Sequence, residues 1–253
     1  MKFGQREIKR TVPVIEDGSL TYNLPLQRVG PSTWSRVHNS NYGINFVDGK
    51  PLRQQTFPEA ARLANFVLAI RDDENVSPVI EAINRYVLTG NTLTLWTPQG
   101  LYAVDFPRDE LAEQLNKDRQ KELLEVQRSL DKRLSGATGK LVQTSQDGYV
   151  RFTGHDNIIY DVQGRDVFAG NSGLIVVAGN EENAKGLSEA SRSYRLNPGF
   201  WGIGKQNKLT VRVPVLGSRD FDGGLYVAAV RAGDGVSRCS FGVSESGEAT
   251  RAK

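Results

Sequence analysis

Hydrophobic residues in this chain keep two different periods in separate stretches, and that segregation limits the folds open to it more than any other feature. PEAARLANFVLAI, from Pro58 to Ile70, repeats apolar residues at helical spacing, with a proline suited to a first turn and Glu59 behind it. SPVIEAINRYVL, from Ser77 to Leu88, is a second helical stretch with Ser77 as N-cap, Glu81 in its early turns and Gly90 as its stop. TLTLWT at 92–97 and GLYAVDF at 100–106 then flank Pro98-Gln99-Gly100, the pattern of a hairpin. Helices set beside hairpin-connected strands imply an α+β fold.

The remaining stretches fit that class. Residues 8–57 are rich in turn formers (GPS at 30–32, HNSN at 38–41, DGKP at 48–51) and read as short strands and ordered loops. Pro107 opens a long charged helix expected to reach Leu134, with a stripe of Leu111, Leu115, Leu123, Leu130 and Leu134 that the polar run Asn116–Glu122 weakens. Gly136, Thr138 and Gly139 end it and mark the best boundary, dividing an N-terminal α+β region, 1–137, from residues 138–253; whether the first is a separate subdomain or the front of one fold stays open. Strand-like segments follow at 140–144, 149–153 and 157–162, then the apolar run GLIVVAG at 173–179, expected to be buried, and a short helix over 181–194. Leu209–Leu216 and Leu225–Arg231 read as strands, Phe241–Ser244 as a short closing strand, and the tail from Glu245 as frayed.

Composition removes several classes of function. The 253 residues suffice for a real core, and 32 basic against 29 acidic residues are interleaved, so no basic stripe marks a nucleic-acid footprint. One cysteine, Cys239, excludes an internal disulfide framework, and with only His38 and His155 no Cys/His metal cluster can form. The N-terminus lacks an apolar stretch of signal-peptide length and no segment is long and apolar enough to span a bilayer, which makes the cytoplasm the default location, without membrane insertion.

Few residues invite a catalytic reading. Asp220 and Asp222 in SRDFDGG are spaced to share one side of an extended segment, as a metal-dependent hydrolase would need, but Asp and Gly are also the residues of tight turns, and no His or Lys in the segment tunes the pair. His38 and His155 sit among turn formers, where solvation or a backbone hydrogen bond is the usual fate. Cys239 has only Arg238 beside it, and GIGKQNK at 202–208 lacks the spacing of a phosphate-binding loop. Trp34, Trp96 and Trp201 are expected in core or subdomain packing, and the charged helix after Pro107 as a solvated face, although with the basic N-terminus it defines a second alternative, a nucleic-acid-binding module.

One segment stands out by omission. The 28 residues from Gly217 to Ser244 contain no Lys, Glu, Gln, Trp or Met, although 11 Lys, 14 Glu and 12 Gln occur elsewhere. These five are the amino acids that codons ending in a pyrimidine cannot encode. Within the segment, GS at 217–218, YVAAVR at 226–231 and SRCSFGV at 237–243 resemble the C-terminal pattern of C-type lectin folds of the formylglycine-generating-enzyme type, approximately GGSW, a spacer, LRVAxR, a loop and YRxxxIGFRV. Arg219 stands where tryptophan is usual, FGV where GFRV is, and the cysteine pair of the enzymes is missing, so their activity is not implied. The segment is more similar to variable proteins of diversity-generating retroelements, of the archaeal type, in which mutagenised template adenines turn AAY-type codons into many NNY codons.

That resemblance implies a C-type lectin fold with an N-terminal α+β elaboration, no cofactor, no enzymatic activity, and a surface for diverse ligands, chiefly protein surfaces. Its variable positions would be Arg219, Asp220, Phe221, Tyr226, Ala228, Val230, Arg231, Ala232, Asp234, Val236 and Cys239, with Gly217, Gly223, Gly224, Phe241 and Gly242 as fixed scaffold. Tyr226, Ala228 and Val230 alternate along a strand and share a face, while Val227 and Ala229 turn to the core. Tyr226 and Arg219 are expected at the surface, and the scaffold glycines where the backbone needs a positive φ.

Overall fold

The computed structural model describes residues 6–7, 14–16, 20–23, 45–47, 50–51, 53–85, 87–107, 111–112, 114, 119–202, 204–205, 207–218, 223–231, 238–239 and 242–245. The first strands are short: β1 (Arg6–Glu7), β2 (Val14–Glu16), β3 (Leu20–Asn23), β4 (Asn45–Val47), β5 (Lys50–Pro51) and β6 (Arg53–Gln54). Helices α1 (Phe57–Ala69) and α2 (Ser77–Arg85) follow, then β7 (Val87–Thr89), β8 (Thr92–Trp96), β9 (Gly100–Asp105) and helix α3 (Gln120–Arg133). Next come β10 (Gln143–Thr144), β11 (Val150–Gly154), β12 (Asp161–Val162) and helices α4 (Arg165–Gly170), α5 (Ser172–Ala178) and α6 (Glu181–Ala190). The chain closes with β13 (Gly199–Trp201), β14 (Thr210–Ser218), β15 (Leu225–Val230), β16 (Arg238–Cys239) and β17 (Gly242–Glu245), so the architecture is α+β.

Helix α1 starts where its sequence says it must. Thr56 is the N-cap: its hydroxyl accepts from Glu59 N, and the Glu59 carboxylate accepts from Thr56 N at 2.7 Å, which satisfies two amide donors that an open helix end leaves bare. Phe57, Ala60, Ala61, Leu63, Ala64, Val67 and Leu68 are buried from this helix.

Two segments depart from the sequence reading, and a third takes a form that reading left open. The second helix stops at Arg85, and Val87–Thr89 is a strand against Val215–Leu216 of β14; pairing with a neighbour 125 residues away wins over a weak local helical pattern. The charged stretch after Pro107 is not one helix, because Arg119 is extended (φ −77, ψ 91) and α3 begins only behind it; the polar run offered no apolar side chain to hold continuous turns to the core. GLIVVAG is buried, as a helix: Asn171 caps it by accepting from Gly173 N, and Gly179 ends it at φ 95. Smaller differences are the strand at 157–162, shortened to Asp161–Val162 behind a 3-10 turn, and Glu245, which pairs with Leu20 instead of fraying.

A ten-stranded sheet organises the molecule in the order β10-β11-β9-β8-β14-β15-β13-β12, with β7 beside β14 and β16 beside β7. Strands from both sides of residue 137 are hydrogen-bonded neighbours there, since β8 pairs with β14 and β9 with β11. Alternate residues feed two cores. Trp96, Leu101, Ala103, Leu216, Leu225 and Val227 pack with α1, α2, α5 and α6 on one face. Leu93, Leu95, Tyr102, Val104, Val211, Val213 and Val215 pack with Leu123 and Leu130 of α3 on the other. Strands β8 and β9 are therefore buried throughout. Between the layers Arg151, 2% exposed, meets Asp105 at 2.7 Å and also donates to the carbonyls of Val176 and Gly148, while Thr92 donates to the second Asp105 oxygen at 2.6 Å. No helix among the described residues is long and apolar enough to cross a membrane.

Candidate functional site

Strand β15 is held on both edges. It runs antiparallel to β14, pairing Tyr226 with Gly217 and Ala228 with Val215, and parallel to β13, pairing Tyr226 with Gly199 and Ala228 with Trp201. Paired residues point to the same side of a sheet, so Tyr226, Ala228, Val230, Gly217, Gly199 and Trp201 share one face, and Val162 joins them through its pairing with Gly199. The opposite side carries Leu225, Val227 and Ala229, which pack into the helix-covered core, as the alternation implied.

The shared face is an aromatic surface built over glycines. A Cβ on Gly217 would lie 3.0 Å from the Tyr226 hydroxyl and 2.8 Å from Val87 Cγ1, so the tyrosine ring rests on the glycine. A Cβ on Gly199 would lie 2.7 Å from Trp201 Nε1, which sets the indole over the glycine between Val162 and Tyr226. Large aromatic rings laid across a bare strand position bury the backbone that glycine would expose. Trp201 nevertheless stays 40% exposed and Val162 56%; Tyr226, Ala228 and Val230 are half-buried against the second core, and Arg231 at the strand end is exposed. Helix α3 shields the β8–β9 portion of this face, and toward β13 and β12 the face opens to solvent.

Three expectations need correction. Tyr226 is half-buried against Gly217 and its neighbours, not a freely exposed side chain. Trp201 is not core packing: its exposure comes from β13 lying next to the sheet edge, a long-range arrangement that its local sequence does not signal. The glycines also serve a different purpose. Neither Gly217 nor Gly224 has a positive φ; Gly217 makes room for Tyr226, and Gly224 lets the chain approach Asn197 O, 2.3 Å from where a Cβ would be. Gly223 is buried beside it.

Other sequence-selected positions are spread apart. Cys239 sits on β16 with β7 and β14 between its backbone and β15, and Gly242 pairs with Asn23 and Gln54 in a separate four-stranded sheet. Arg219, Asp220, Phe221, Asp222, Ala232, Asp234, Val236 and Phe241, like His38 and Trp34, lie outside the described residues. His155 is buried: the partners fit Nε2–H donating to Thr97 O at 2.7 Å and Nδ1 accepting from the Tyr160 hydroxyl at 3.2 Å, with Trp96 stacked on the ring. Burial pushes the Tyr160 phenol up to about 12, so it keeps the proton it donates. Among the described residues no three His, Cys, Asp or Glu side chains gather as a metal site would need. The open face offers instead apolar area with an indole N–H and a phenol, the chemistry of non-covalent recognition.

No family model matches the chain, and no curated protein is similar to it. A solved chain from Nanoarchaeota, of a C-type lectin fold that accommodates massive sequence variation, is similar over 79% of this chain and 99% of its own at 14% identity and a TM-score of 0.44.

Proposed function

We propose that this chain is a non-enzymatic ligand-binding protein that displays diversified side chains on a fixed scaffold of the C-type lectin type. The observation that carries this reading is the open aromatic face, on which Tyr226, Ala228 and Val230 stand beside Trp201 on a strand whose backbone is hydrogen-bonded along both edges. Side chains on such a strand can change while the backbone stays in place, so affinity rests on a preorganised surface and a few rigid anchors. Trp201, Tyr226 and Arg231 are of the residue types that dominate interface hot spots, and Ala228 is the register partner of Trp201. Their partners are protein surfaces of varied sequence. The pyrimidine-ended vocabulary of 217–244 and its similarity to retroelement variable proteins support diversification as the source of the variety.

The test is a display library randomised at Tyr226, Ala228, Val230 and Arg231 and panned against unrelated protein targets. Most members are expected to fold, and target-specific binders to lose their targets when Trp201 is replaced by alanine. A library in which most members fail to fold would make this face part of the core and end the proposal. Diversification has its own readout in the DNA flanking the gene: a near-copy of the codons for 217–243 differing almost only at adenines is expected, and a unique, invariant segment would refute it.

A further inference from the structure

The strands that build the open face carry no carboxylate. From Gly199 to Ser218 the sequence holds Lys205, Lys208 and Arg212 without an Asp or Glu, Gly223–Val230 holds no charge, and Asp220 and Asp222 come between these two stretches. Arg212 alternates with Val211 and Val213, which pack under α3, so it belongs to the opposite side of β14. Lys205 and Lys208 are exposed on the connection from β13 to β14. Those strands flank β15, one parallel and one antiparallel to it, so the connection joins them at the Val230 end of β15, directly after Trp201. It is anchored at both ends. Gly202 leaves no room for a Cβ against Trp96 and Tyr160, and Gln120 of α3 brackets Leu209, its Nε2 donating to Leu209 O at 3.0 Å and its Oε1 accepting from Leu209 N at 2.9 Å. The start of α3 also brings Arg119 and Glu122 together at 3.2 Å, a matched pair that leaves the two lysine charges uncancelled.

Neither Trp nor Lys has a codon ending in a pyrimidine, and Trp201, Lys205 and Lys208 all precede Gly217. On the reading proposed above, on which this inference rests, they stay constant while Tyr226, Ala228 and Val230 vary. Each version of the face then keeps the same indole and the same two ammonium groups beside whatever β15 displays. Cations at the rim of an interface speed the approach of negatively charged partners and penalise positively charged ones. A nucleic acid would call for a longer basic stripe, and its phosphate backbone offers no apolar area to Trp201 and Val162. An acidic protein surface with an exposed apolar side chain meets both the lysines and the indole. We infer that Trp201, Lys205 and Lys208 form a constant half of the binding face, which directs the variable strand to acidic protein surfaces.

The test pans the full chain, displayed with Tyr226, Ala228, Val230 and Arg231 randomised, against α-lactalbumin and lysozyme, which share a fold and carry opposite net charge at pH 7. A second library adds Lys205→Gln and Lys208→Gln. At about 50 mM salt, binders of α-lactalbumin are expected to outnumber binders of lysozyme by about tenfold in the first library, the scale on which steering changes association rates. The excess should disappear in the second library, and also in the first at about 0.5 M salt, where exposed charges are screened. The salt dependence needs no variant and carries the test alone if the double substitution does not fold. Equal numbers on the two targets, or an excess that survives both substitutions and high salt, would overturn the charge selection and leave the binding face standing. No binders of either target would remove the binding face and this inference with it. Retention of a mixed-sequence DNA duplex by the unselected library, lost on the two substitutions, would assign the lysines to nucleic acid and overturn the proposal.

Discussion

Gly217 shows how one missing atom fixes a surface. Its Cα is the floor on which the Tyr226 ring lies, and alanine there would put a methyl 3.0 Å from the hydroxyl and 2.8 Å from Val87 Cγ1. Gly217→Ala should therefore lift the ring and lower stability by about 1–3 kcal/mol, the usual cost of overpacking. Chemical denaturation measures the loss, and an unchanged midpoint would mean that the ring does not rest there. Asp105 poses a sharper case between the layers, because Arg151 has that carboxylate as its counter-ion at 2.7 Å, and both side chains are almost completely buried. Asp105→Ala strands a guanidinium in the interior and should cost about 3–5 kcal/mol in a urea denaturation series. A loss below about 1 kcal/mol would mean that water reaches Arg151 and solvates it in place of the carboxylate.

Elements were legible in the sequence where their signals are local. The start of α1, signalled by Pro58 with Glu59 behind it, and the hairpin around Pro98-Gln99-Gly100 each depend on a few neighbouring residues, and both elements are present. The strand at 87–89 and the exposure of Trp201 depend on β14 and β15, which arrive more than a hundred and some twenty residues later respectively, and no local pattern encodes them. The alternation along β15 was legible because a strand's period is its own; that α3 covers only part of the resulting face was not. The turn between β10 and β11 yields a prediction at this scale. Partial burial of Asp147 opposes its ionisation, yet hydrogen bonds from the Ser145 hydroxyl, the Arg133 guanidinium and Tyr149 N outweigh it and hold the carboxyl down at about 2. A carboxyl depressed in the folded state stabilises the fold fully above its unfolded value near 4, and that contribution disappears as the pH falls toward 2. Asp147 is half exposed and its ion pair is solvent-screened, so the effect is modest. Asp147→Asn should flatten part of the stability loss between about pH 4 and pH 2 in thermal unfolding, and an identical acid limb in the two proteins would remove Asp147 from it.

At the scale of the whole molecule, the last described strand ties the two ends of the chain together. Gly242–Glu245 in β17 pairs antiparallel with Leu20–Asn23 in β3, and Gly242 and Val243 also pair with Gln54 and Arg53 in β6. These strands form a sheet separate from the ten-stranded one, which β14 anchors through β8, β7 and β15. The two sheets should then lose order separately. Without β17, β3 keeps only β2 as a partner, and an isolated two-stranded ribbon is marginal in water. Deleting residues 238–253 should therefore abolish amide-exchange protection at 20–23 while β14 and β15, each paired on both edges, keep theirs. Protection retained at 20–23 in the truncated chain would mean that β3 is held by something other than β17. Loss of protection throughout β14 would mean instead that β16, paired with β7 at Val87 and Leu88, is the strand that closes the main sheet, and the binding face on β15 would then depend on the segment that follows it.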